Sequence, residues 1–259
     1  MMKGFLPVYR KELYGIFASP IFYAVAFIFL VISGIFFYLI LDYFNHLSFE
    51  LAQNPMMAGK INIMEVVLRS FFLNLSFILL FLAPLLTMRL YAEERKSGTL
   101  ELLFTYPVSD SGAVLGKYAA VVTAYAMLLL GTLPGIIALA YASAPAWKPI
   151  LSGYLGVFLL GCAFLSLGLF TSSLTQNQIV AAVFAFGALL ILWFVGETKS
   201  LLGPGMGPIA DYIGVTKHFD GFAKGVLDSR DLLYYCLFSF FFLFLTYRQV
   251  NSFRWRGLA

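Results

Sequence analysis

Charge is what this sequence is short of. Asp, Glu, Lys and Arg make up 12% of its 259 residues, against about 25% in soluble domains, and residues 149–196 hold no charged residue at all. Hydrophobic residues reach 61% and fall in long unbroken runs, each close to the ~20 residues that cross the ~30 Å hydrocarbon core of a bilayer. An ordinary soluble domain is thereby excluded. The expected fold is all-α and polytopic, because lipid-exposed backbone must satisfy its own hydrogen bonds and no run alternates like a barrel strand. Cysteine is equally scarce. Cys162 and Cys236 lie in separate apolar runs, with no CxxC and no neighbouring His, so neither a disulfide framework nor a metal site is expected. The first apolar run, Ile21 to Leu41, exceeds the about 7–15 residues of a signal-peptide core and lacks a small-residue cleavage site after it, so it reads as a retained anchor.

What is present is six apolar segments, placed near 20–41, 70–89, 116–141, 150–171, 179–196 and 231–247. The fourth and fifth are separated by TSSLTQNQ (171–178), a polar, turn-like tract. With the N-terminus inside, ten of the 17 Lys and Arg residues fall on the inner side and cluster near span ends, which predicts both termini in the cytoplasm. The net charge of +4 fits basic membrane flanks and gives no reason to invoke nucleic acid. The lipid bilayer is the first partner implied.

Span interiors carry no Asp, Glu, Lys, Arg or His; Arg89, Lys117 and Asp231 stand at span ends. Intramembrane charge usually marks ion or proton pathways, so a self-powered ion-coupled carrier is disfavoured. His46 and His218 fall in outer loops, where a solvated surface role is expected. Gly153, Gly156, Gly161, Ser166 and Gly168 in span four permit close helix approach, Pro134–Gly135 predicts a kink in span three, and Asn74, Ser76, Pro84 and Thr87 give span two mild polarity. These residues serve either ordinary packing or the lining of a path for a hydrophobic or amphiphilic cargo.

Outside the spans, residues 1–19 place Phe5, Tyr9, Leu13 and Phe17 at steps of four, with Arg10, Lys11 and Glu12 between them. That predicts either an amphipathic helix lying in the membrane interface or a plain positive flank; Pro7 is tolerable in its first turn. In the outer loop, 197–230, GPGMGP (203–208) breaks any helix. Phe219, Phe222, Ala223, Val226 and Leu227 then return at helical spacing, and Asp228 or Ser229 is placed to cap the last span.

Charge is concentrated only in EERKSGTLELLFTYPVSDSGAVLGKY, residues 93–118. Arg89, Glu93 and Lys96 have ion-pair spacing on a helix leaving the bilayer. Ser97–Gly98 is a natural break, after which Thr99 is placed to cap a short helix with Glu101 in its first turn. Leu100, Leu103 and Phe104 share its apolar face, and Pro107 ends it. Such an element over 90–115 either anchors the loop in the interface or offers a docking surface to a cytosolic partner. GAVLGKY (112–118) is not a phosphate loop, which needs four intervening residues and a hydroxyl after the lysine; three intervene here, followed by Tyr118.

The segment resembles the signature of ABC-2-type transporter permeases, carried by Glu94, Arg95, Gly98, Thr99, Leu100, Glu101, Leu102, Leu103, Pro107, Val108, Ser109, Gly116 and Lys117. SSLTQNQIVAAVFAF (172–186) and FDGFAKGVLDSRDLLYY (219–235) are also similar to that family. Across nearly the whole chain the similarity is greatest to permeases of the gliding-motility type and their nitrous-oxide-reductase-maturation relatives. Tyr106 between Thr105 and Pro107 departs from the commoner spelling. The resemblance implies an exporter subunit of the inner (plasma) membrane that pairs with a second permease copy, identical or similar. Two cytosolic ABC ATPase subunits would dock beneath, carrying the ATP and Mg, so this chain is expected to bind no cofactor and catalyse nothing itself. It implies that Glu93, Glu94, Arg95, Gly98, Thr99 and Glu101 contact the ATPase, whose closure levers spans one, two and five, and that the turn Thr175, Gln176, Asn177 and Gln178 forms a second contact. A non-transporting membrane scaffold and a self-powered channel or carrier are the alternatives.

Overall fold

The computed structural model describes residues 4–53, 63–99, 108–142 and 147–256. Among them the regular structure is helical throughout. Helix α1 is Phe5–Ala18 and α2 is Pro20–Gln53; α3 is Ile63–Thr87, followed after a tight turn by the short α4, Ala92–Lys96. Helix α5 is Asp110–Leu130 and α6 Leu133–Ala142; α7 is Trp147–Leu174 and α8 Gln178–Val195. Helices α9 (Lys199–Ile213), α10 (Val215–Ala223) and α11 (Ser229–Arg256) complete the chain. Six stretches are long and apolar enough to cross a membrane: Pro20–His46, Val67–Lys96, Asp110–Leu139, Trp147–Leu174, Gln178–Val195 and Ser229–Phe253. The chain is an all-α, multi-pass membrane protein.

Several boundaries move outward from the sequence expectation. At about 1.5 Å per residue the 34 residues of α2 run about 50 Å, well past the hydrocarbon core. Helix α5 begins at Asp110 rather than 116, because Ser109 is its N-cap and accepts from the Gly112 N–H at 3.2 Å. The kink expected at Pro134–Gly135 falls at Gly131–Thr132, with Pro134 taken into the first turn of α6.

The core is organised around α7, which packs against α3, α5, α8, α10 and α11. Its glycines make this possible. A Cβ at Gly156 would collide with the Cβ of Phe222 on α10, and one at Gly161 with the ring of Tyr125 on α5. Tyr125 is fully buried, and its hydroxyl donates to the Val157 carbonyl at 2.7 Å. In α2, α8 and α11, by contrast, most of the apolar surface is uncovered, with Phe27, Val183 and Phe240 more than 60% exposed, as expected where the solvent is lipid.

Loops gather at two ends of the bundle. At one end α4 meets α1 through Lys11 and Glu94, the end of α7 through Arg95 and Ser173, and the end of α11 through Arg95 and Phe253. At the other, α10 lies across α7 and α3. It buries Val215, His218, Phe219, Phe222 and Ala223 and stops at Gly225, whose φ of 83° ends the helix. Val226 and Leu227, expected on its apolar stripe, are therefore past its end and exposed. Gly203, at φ 70°, kinks α9 where GPGMGP was expected to break it. Asp228 accepts from the Arg230 N–H at 2.9 Å and caps α11.

His218 is a correction. It is 4% exposed, with Nδ1 2.6 Å from Asp231 Oδ1, Nε2 2.9 Å from the Tyr212 carbonyl and its ring stacked on Tyr234. Sequence reading saw only a His in a loop, whereas the acid that claims it lies 13 residues on, across the α10–α11 turn. Nearby, Asp220 accepts from Arg69 at 2.6 Å and pairs with Lys224. Burial raises the Asp220 carboxyl, but the hydrogen bonds from Lys224 and Arg69 outweigh it and hold the carboxyl below its ordinary value. A depressed carboxyl contributes stability that is present above its unfolded pKa and lost as pH falls through the folded one. The melting temperature of the native chain should therefore drop faster than that of Asp220→Asn below about pH 4; parallel acid curves would show that the cluster contributes nothing.

Candidate functional site

The charged segment begins where α3 ends. Thr87 returns its hydroxyl to the Ala83 carbonyl at 2.8 Å and the chain turns through 88–91. Such a turn strands backbone N–H groups, and here one hydroxyl collects them. Ser172 Oγ on α7 accepts from the N–H groups of Tyr91 (3.1 Å) and Ala92 (3.2 Å) and donates to the Met88 carbonyl at 3.0 Å. Ser172 and Tyr91 are both fully buried, so the exit of α3 is fastened to the end of α7 away from water.

Beneath this turn lies a buried ionic knot. Lys117, two turns into α5, is 0% exposed. Its ammonium donates to Glu12 Oε1 of α1 at 2.7 Å and to the Leu90 carbonyl at 2.8 Å, and lies 2.9 Å from Glu94 Oε2. The last is a contact of charge rather than an aligned hydrogen bond. Lys11 donates to the other Glu94 oxygen at 2.8 Å and sits 3.8 Å from Glu12. Two cations and two carboxylates thus alternate, and each offsets part of the cost the others incur on leaving water. Burial pulls the Lys11 ammonium down, but the hydrogen bond and charge of Glu94 outweigh it, with Glu12 adding, and hold it above its ordinary value.

Glu12 faces α5 because α1 does not merely float in the interface. It packs along α5 with Val8 buried against Gly116. The contacting stripe is Val8 and Glu12, not only the expected Phe5, Tyr9, Leu13 and Phe17.

Two arginines extend the knot. Arg89 pairs with Glu93 at 2.8 Å and donates to Ser19 Oγ at 2.8 Å, tying α3 to the α1–α2 corner. Arg95 donates to the Ser173 carbonyl at 3.0 Å and stacks its guanidinium 4.5 Å over Phe253 of α11. Of the residues the resemblance pointed to, Glu94 and Arg95 are therefore engaged inside the protein. Glu93 keeps 47% of its side chain exposed, and Lys96, Ser97, Gly98 and Thr99 form an exposed tip. Gly98 has φ 70°, with no atom near its missing Cβ, so glycine is favoured by the turn rather than by space. Thr99 Oγ1 lies 2.9 Å from Ser97 Oγ. Glu101 and the short helix expected after Thr99, with Leu100, Leu103 and Phe104, lie outside the described residues.

The α7–α8 turn stands beside this tip, two residues past the carbonyl that Arg95 holds. Asn177 caps α8, accepting from the Ile179 N–H at 2.9 Å, and Thr175 Oγ1 accepts from the Asn177 N–H at 3.1 Å. Gln176 is exposed and Gln178 half-buried. Sequence reading singled out neither Lys11, Glu12, Ser172 and Ser173 nor the burial of Lys117. The available signal was Lys117 itself, a lysine at the mouth of a span with no water to receive it. Among the described residues no three His, Cys, Asp or Glu side chains come together as a metal site would require.

Residues 6–205, more than half of the chain and including the whole knot, match the family described as ABC-2 family transporter protein. The chain belongs to the ABC-2 transporter family. Among curated proteins no match was found. Members of this family are membrane components of ABC transporters, so an ABC ATPase is the partner that membership implies, and the bilayer is its surroundings.

Proposed function

We propose that this chain is the permease subunit of an ABC exporter, nearest to the gliding-motility and nitrous-oxide-reductase-maturation permeases, and that its ATPase grips the tip formed by Glu93, Lys96, Ser97, Gly98 and Thr99, extending to Glu101. The observation that carries this is the knot behind the tip. Through Glu94, Arg89, Arg95 and the Ser172 clasp, a push on the tip is delivered to α1, α2, α3, α5, α7 and α11 together. A hinge with no such fastening would absorb the motion instead. The Thr175–Gln178 turn is a second contact. ATP and Mg reside on the ATPase, a second permease copy completes the pathway, and the knot end of the bundle, with both termini, faces the cytoplasm of the inner membrane. The basic residues near that end support this orientation.

This reading divides the segment in a way that can be measured. Lys96→Glu should abolish co-purification of the ATPase while leaving the melting temperature of the permease nearly unchanged, because its side chain faces solvent, and Gly98→Pro should abolish it by remodelling the tip, since proline cannot hold φ 70° and loses the N–H bonded to the Arg95 carbonyl. Glu94→Lys should lower both co-purification and melting temperature, since it breaks the knot. Retention of the ATPase by Lys96→Glu and Gly98→Pro together would show that the tip is not the docking surface.

A further inference from the structure

We propose that the cleft between the α1–α2 corner and the end of α3 holds one bilayer glycerophospholipid whose headgroup carries a hydrogen-bond donor. The cleft has a volume of about 350 Å³, within the ~300–1,000 Å³ of small-molecule sites. Its walls change character along its length. Lys11, Glu12, Ser19, Arg89, Glu93, Glu94 and Thr99 line one end, where Glu12 and Glu94 are already paired with Lys117 and Lys11, and Phe22, Val25, Leu85 and Leu86 line the other. Leu85 lies in the last turn of α3, and Arg89 four residues on in the turn that follows it. This is the order in which a phospholipid passes from headgroup to acyl chain. Ile21 and Leu85 at the mouth are more than 40% exposed on two membrane-spanning helices, so the medium that reaches the cleft is the bilayer.

The polar end has donors to spare. Of the five N–H groups of Arg89, two bond Glu93 and one bonds Ser19, leaving two without a partner among the described residues. Lys11 gives one N–H to Glu94 at 2.8 Å, while Glu12 is 3.8 Å away, and its side chain remains 62% exposed. Arginine and lysine together suit a phosphodiester. Glu93, 47% exposed at the same rim, is an acceptor. It favours a headgroup ending in an ammonium or hydroxyl over one ending in a quaternary amine. A bound lipid would brace α1 against the end of α3. The inference goes beyond the ATPase reading and does not depend on it.

The test uses the delipidated full-length chain in detergent and native mass spectrometry with four dioleoyl lipids of matched tails. Phosphatidylethanolamine and phosphatidylglycerol should be retained as a single adduct. Diacylglycerol, which lacks the phosphate, and phosphatidylcholine, which lacks the donor, should each be retained about ten-fold less, the worth of one charge-assisted hydrogen bond. Val25→Trp, which fills the apolar half, and Arg89→Gln should each lower retention of phosphatidylglycerol by a similar factor. Equal retention of all four lipids by the unaltered chain would overturn the proposal whatever the variants do. So would undiminished binding in both variants.

Discussion

Replacing Lys117 with alanine should destabilise the permease by about 3–5 kcal/mol, the cost of leaving buried charge without its partner. The reason lies in the arithmetic of the knot. Lys117 is 0% exposed and serves Glu12, Glu94 and the Leu90 carbonyl. Without it two carboxylates face each other with only the more exposed Lys11 between them. The immediate structural consequence is loosening of α1 from α5, because Glu12 is its polar anchor there. Thermal melting in detergent reads the stability change, and limited proteolysis after Lys11 reads the release of α1. If the loss is electrostatic, Lys117→Met combined with Glu12→Gln and Glu94→Gln should recover most of the stability, since an uncharged packed site avoids the desolvation cost altogether. A Lys117→Ala chain with native melting temperature and intact α1 would mean that the knot contributes little.

The second large effect belongs to α7. Gly156→Ala adds a single methyl, yet that methyl would collide with the Cβ of Phe222. A Cβ cannot swing aside as the end of a side chain can, so α10 must shift off α7. Overpacking of this kind costs about 1–3 kcal/mol, and here it also disturbs Phe219 and Phe222, which are fully buried in the same contact. Gly187→Ala is the matched comparison, because nothing lies within 4 Å of its added Cβ and alanine is the better helix former. The melting temperature should fall for Gly156→Ala and hold or rise for Gly187→Ala. Equal responses would show that α10 is not seated on α7 as described.

The six spans were legible in the sequence because a bilayer imposes a length and a polarity that single segments display on their own. The N-cap of α11 at Asp228 and the kink at Gly203 were legible for a similar reason: each is a local rule about one or two residues. What was hidden depends on partners distant along the chain. Lys117 reads as a flanking positive charge until α1 brings Glu12 to it across 105 residues. Ser172 reads as part of a polar turn until it is found collecting the stranded N–H groups of Tyr91 and Ala92, 81 and 80 residues earlier. His218 reads as a loop residue until Asp231 and Tyr234 enclose it. The motif around Glu94, Arg95, Gly98 and Thr99 gave all of these residues one outward role. The structure separates them, with Glu94 and Arg95 turned into the protein and Gly98 and Thr99 at the exposed tip.

That separation bears on how force would enter the molecule, and the tip is where it is most directly tested. Ser97→Cys, in a chain with Cys162 and Cys236 replaced by Ser, presents a single thiol at the turn for a short bifunctional cross-linker in native membranes. The account predicts a cross-linked partner bearing the nucleotide-binding sequence of an ABC ATPase, in a yield that changes when ATP is added. A tip that cross-links to no such ATPase, with or without ATP, would contradict it.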